Sequence, residues 1–155
     1  MDLEPQLQIL IEDAPNYGVP SLIMSRGVTP VLKQFSTNLK YPEYYLPQTE
    51  SGDWVVNTLS NRLDPQLEKK VIYTFARIED AIAFSNTLNH QVQPIPMFVT
   101  HILFQLFSTK QVDSIIFMAN PGNFNNGIEV KREELQKAIQ VKLKELVGNN
   151  KIDIA

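Results

Sequence analysis

Residues 113–118, DSIIFM, end in four consecutive apolar side chains, Ile115, Ile116, Phe117 and Met118. A strand with one wet face alternates apolar and polar residues, so an unbroken apolar run predicts a strand covered on both faces, or nearly so. The chain therefore needs a sheet with this segment near its centre and helices layered against it. The segment that follows, ANPGNFNNG at 119–127, is built from turn formers. Pro121 fixes φ at the second position of a type II turn, and Gly122 accepts the positive φ of the third. Asn126-Gly127 is a second turn signal. GIEV then predicts a short strand leading into the final helix.

The neighbouring segments supply the layers. WVVNTLS (54–60) and KVIYTFA (70–76) are β-branched and aromatic and predict strands, joined antiparallel through NRLDPQLEK. ARIEDAIAFSNTLN predicts a helix with Ile78, Ala81, Ile82, Ser85 and Leu88 on one side. Glu79 and Asp80 fall in its first turn, where the helix dipole favours negative charge. IPMFVTHILFQLF (95–107) is apolar almost all round and predicts a second, deeply buried helix. REELQKAIQVKLKELV places Leu135, Ile139, Leu143 and Leu146 on one face of a last helix.

The first forty residues read as a helical lead-in. Leu3, Leu7, Leu10 and Ile11 share a helical face, and Asn16, Gly18 and Pro20 break the chain. Thr29 before Pro30 predicts an N-cap with proline in the first turn, opening a helix through about Asn38 whose buried stripe is Val31, Leu32 and Phe35. KYPEYYLPQTESGDW then predicts extended chain before the first strand. The fold class is thus α+β: a mostly antiparallel sheet with a central strand at about 113–118, packed with helices. The 155 residues fit one domain, with a helical lead-in (1–40), an α+β body (41–148) and a tail (149–155).

Composition narrows the function classes. A net charge of −3 gives no global positive field for a nucleic-acid backbone or an anionic membrane. The chain has no cysteine, which removes thiolate catalysis and Cys-ligated metal and fits a reducing compartment. The opening MDLEPQLQILIED is acidic and amphipathic, unlike a signal peptide, and the apolar run at 95–107 is too short to span a bilayer. A soluble, cytoplasmic protein with no cofactor, nucleic-acid or membrane partner is the expectation.

From residue 54 to about 140 the pieces resemble the N-terminal domain of the bacterial SseB (enhanced serine sensitivity) family. The resemblance rests on VIYTFA running straight into IEDAIAF, on the apolar helix behind it, and on IIFMANPGN. It extends to GIEV leading into a helix opened by EEL. It implies the fold of that domain and an accessory or interaction role, and no catalytic set.

Candidate site residues fall into two groups. The first is the loop carrying Asn120, Gly122, Asn123 and Asn125, together with His101. The loop reads as a well-built turn or as a ligand or partner contact; it lacks the Gly-Lys-Ser/Thr of a phosphate loop and the GxGxxG of a dinucleotide loop. His101 reads as a hydrogen-bonded core histidine, since no carboxylate or hydroxyl is spaced to pair with it, and His90 suits a helix end. The second group, Tyr41, Tyr44, Tyr45 and Trp54, reads as core-edge packing or as a protein-binding surface. Two functions follow. One is a non-catalytic accessory or interaction domain whose partner is another protein or a second copy of itself. The alternative is a small-molecule-binding or weakly enzymatic protein using the 120–127 loop.

Overall fold

The computed structural model describes residues 2–60, 63–64, 68–88, 91–119 and 127–148. It begins with α1 (Leu3–Asp13), whose Leu7 and Leu10 are buried as the periodicity predicts. A 3-10 turn (Ala14–Tyr17) closes on Gly18, with φ of 73°. Then come α2 (Ser21–Ile23), a π turn (Met24–Val28) and α3 (Thr29–Thr37). The α-helical stretch α3 starts at Thr29 as expected, but these three run on as one helix, so Thr29 is not the expected N-cap. The Thr29 amide reaches back to the Met24 carbonyl, and its hydroxyl donates to the Ser25 carbonyl at 3.2 Å instead of capping. Pro30 cannot donate to the preceding turn and its ring crowds that turn's carbonyl. The widened π turn absorbs this within a continuous helix.

The sheet contains β1 (Glu43–Thr49), β2 (Asn57–Ser60), β3 (Glu68–Phe75), β4 (Val92–Phe98), β5 (Ser114–Met118) and β6 (Gly127–Lys131). Its order is β4-β1-β3-β5-β6, with β2 also paired to β3. Among the described residues β3 and β5 run parallel and the other strand pairings are antiparallel. The apolar β5 lies inside the sheet between β3 and β6, and every residue of it except the half-buried Ile116 is buried.

Three further expectations are corrected. Residues 43–49 are themselves a strand, and the expected helix at 95–107 divides into β4 and α5 (Val99–Ser108). Pro94 and Pro96 lack amide hydrogens, which suits an edge strand, and β4 is the edge next to β1. The helix begins only past Phe98, where the prolines end. Of residues 54–60, only 57–60 form a strand, and Trp54 makes a single bridge to Gln48.

Strand alternation sends side chains to two faces. Tyr44, Leu46, Ile72, Ile115, Phe117 and Val130 join one large core with residues of α1, α3, α5 and α6 (Arg132–Gly148). The helical lead-in belongs to this core through Leu7, Leu10, Met24, Val28 and Leu32. Gly27 in the π turn lets α6 approach, since a Cβ there would collide with the Leu143 side chain. On the opposite face α4 (Ile78–Ser85) covers a smaller cluster of Phe75, Ala81 and Met118. Phe84 of α4 stacks 5.3 Å from both Tyr73 and Phe75. The expected helix face is only half used: Ala81 and Ser85 are buried, whereas Ile78 and Ile82 are 40% and 43% exposed.

Candidate functional site

The loop residues Asn120, Gly122, Asn123 and Asn125 lie outside the described residues, as does His90. The chain enters that loop from Ala119, beyond β5, and returns at Gly127 opposite Met118. His101 stands in the first turn of α5, just past β4. Strands β1 and β3 lie between β4 and β5, a separation of about 14 Å at ordinary strand spacing. The described part of the fold therefore does not bring His101 to the start of the loop.

His101 instead belongs to a polar node that the sequence reading missed. Its Nε2 donates to the Gln6 backbone carbonyl at 3.1 Å, and its ring meets Phe98 edge-on. The Gln6 side chain, fully buried, donates through Nε2 to the Pro42 carbonyl at 3.0 Å. Its Oε1 accepts the Thr100 hydroxyl at 2.8 Å and the Thr100 amide at 3.3 Å. Phe98 offers α5 no side-chain cap, so Gln6 supplies one from another helix, while the Pro42 carbonyl takes the Val99 amide at 2.8 Å. Periodicity placed Gln6 beside an apolar stripe; nothing local tells that its amide has partners 36 and 94 residues away.

The four aromatics do not form one surface. Tyr44 is 1% exposed and packs edge-on against Phe117 at 5.0 Å, and burial pushes its hydroxyl pKa up. Tyr45 points to the α4 side, Trp54 packs against the larger core, and Tyr41 is 44% exposed. Of the two readings of this group, Tyr44 and Trp54 fit packing, and the period of two along β1 sends the neighbouring tyrosines to opposite faces, so the four do not share one surface. Trp54 does border a cleft of about 470 Å³ with Gln48, Ile72, Met97 and Gln105. This cleft opens because β1 pairs with β3 only at Tyr45↔Phe75. Pro47, next on that side, has no amide to give β3, and its carbonyl accepts the Val55 amide at 3.4 Å. A second cleft, about 310 Å³, joins His101 to Leu10, Tyr17 and Phe104, and among the described residues no carboxylate lines it.

The edges of the sheet at β4 and at β6 differ in chemistry. Pro47 and Pro94 face each other across β1 and β4, so that pair can exchange no hydrogen bonds. The backbones of Pro94 and Pro96 consequently face outward, where the proline ring leaves no donor. At the other edge, the Met118 carbonyl accepts the Ala76 amide at 2.9 Å, which turns alternate β5 residues toward β3. The bonded β5–β6 pairs are then Ile115↔Val130 and Phe117↔Ile128. The amides and carbonyls of Gly127, Glu129 and Lys131 face away from the sheet, and among the described residues no strand pairs with them. Every β6 residue except Val130 is exposed.

Glu129 anchors this edge. It is ion-paired with Lys69 and accepts the Ser114 hydroxyl at 2.7 Å. Burial works to raise its pKa, but the hydrogen bonds from Lys69 and Ser114, with the charges of Lys69 and Lys131, hold the carboxyl below its ordinary value. Among the described residues no group of three or more His, Asp or Glu could hold a metal ion, and no helix is long and apolar enough to cross a membrane. No protein-family model matches the chain, and no curated protein matches it.

Proposed function

We propose that this chain is a non-catalytic, cytoplasmic interaction domain of SseB-like type whose partner is a protein bound through strand addition at β6. The open β6 edge carries the reading: the β4 edge is closed by prolines, while the β6 edge offers outward amides and carbonyls on an exposed strand. The alternative, a small-molecule site shared by the 120–127 loop and His101, has the two intervening strands against it. Co-purification from native lysate, read for proteins and small molecules together, tests this function. A protein recovered with the parent chain and lost with Lys131→Pro is the expected result. A small molecule retained in stoichiometric amount, with no protein dependent on β6, would overturn it.

A further inference from the structure

We infer that the occupant of the β6 edge is a second copy of this chain, paired antiparallel through its own β6 about a two-fold axis at Val130. The inference rests on the interaction reading above and names its partner. It follows from the direction of the backbone groups and the order of the charges in Gly127–Lys131.

In an antiparallel pair centred on Val130, residue 129 of one copy faces residue 131 of the other, twice by symmetry. Those are the residues whose amides and carbonyls point outward, so Glu129 and Lys131 of each copy can exchange both backbone bonds with the other copy. Val130, whose own backbone is spent on Ile115, falls at the non-bonded position on the axis. Backbone geometry and register therefore agree.

The side chains select the same register. Residues 127, 129 and 131 share the sheet face that carries Tyr73 and Ile116, and there each Glu129 would stand opposite a Lys131 of the other copy. Cross-strand pairs of opposite charge stabilise a sheet, and like charges directly opposite destabilise it. A pairing centred one residue earlier would set Glu129 against Glu129. The existing Lys69–Glu129 pair would extend the row into an alternation of positive and negative groups across the junction. At β4, the outward prolines deny this mode of association to the opposite edge. The pairing closes on itself about the two-fold axis, giving a dimer with a continuous sheet.

Sedimentation velocity and native mass spectrometry of the purified chain over a wide concentration range test the proposal. The parent chain should dimerise, and more weakly as salt rises. Lys131→Pro removes an outward amide while sparing the β5–β6 bonds, and should raise the dimer dissociation constant roughly tenfold or more. Lys131→Glu would set carboxylates opposite one another; its dimer should be weaker than the parent's and should tighten, not loosen, with salt. This second variant keeps the test intact if the proline variant does not fold, and far-UV circular dichroism checks both. A parent chain that stays monomeric throughout overturns the dimer. So does a dimer indifferent to both substitutions. A monomeric chain whose lysate partner is nevertheless lost with Lys131→Pro would overturn only the second copy as occupant and leave the interaction function standing.

Discussion

On one face of the sheet, Tyr44, Leu46, Ile72, Ile115 and Phe117 lie under a layer drawn from α1, α3, α5 and α6. On the other, Tyr45, Tyr73, Phe75, Ile116 and Met118 meet the eight-residue α4. Both faces are made by the same strands with the same alternation. What differs is the cover. The larger face is closed by long amphipathic helices and locked by the Gln6 node, whereas α4 leaves Ile78 and Ile82 partly in water. Burial of apolar area is the main favourable term in folding, so the stability of this protein should reside mostly on the first face.

Equal substitutions on the two faces should then give unequal losses. The largest effect is expected from Phe117→Ala, which removes a fully buried ring packed on Tyr44 and should cost about 3–5 kcal/mol in urea unfolding. Gln6→Leu comes next. It keeps the volume of the node but leaves the Thr100 amide and hydroxyl without their acceptor, for a loss of about 1–3 kcal/mol. Hydrogen exchange should speed up at the start of α5, because that is where the missing cap acts.

Phe84→Ala on the α4 face should cost less, about 1–2 kcal/mol, because the ring is only half-buried. A loss equal to that of Phe117→Ala would erase the distinction between the faces. The smallest effect should come from pH and Glu129. Its folded pKa is lowered, so its contribution is fully present above the ordinary glutamate value of 4.5 and fades as pH falls through the lower folded value. Urea midpoints measured below pH 5 should fall less steeply for Glu129→Gln than for the parent.

Much of this architecture was legible in the chain. The unbroken run at 115–118 called for a strand covered on both faces, and β5 is that strand. Helical periods at 3–13 and 132–147 identified α1 and α6, with Leu7, Leu10, Leu135 and Leu146 buried as read. Turn chemistry was legible at Gly18, whose φ is positive. These features are local: the spacing of apolar residues and the steric freedom of glycine act within a turn or two of chain.

Most of the errors came where partners are distant. Residues 95–107 are apolar enough for a helix, and only the place of β4 beside β1 makes Pro94 and Pro96 edge residues. Thr29-Pro30 has the composition of a helix start, yet helix precedes it because a π turn accommodates the proline. The separation of Tyr44 from Tyr45 follows once β1 is known to be a strand. The candidate site followed the same division. His101 and the tyrosines were visible as residue types, but the role of His101 depends on Gln6, which is 95 residues away. The contrast between a closed β4 edge and an open β6 edge depends on strand order. A sequence fixes periodicity and backbone permission residue by residue; strand order and the satisfaction of buried polar groups are settled only by the assembled fold, because each is a relation between segments that the chain itself keeps far apart.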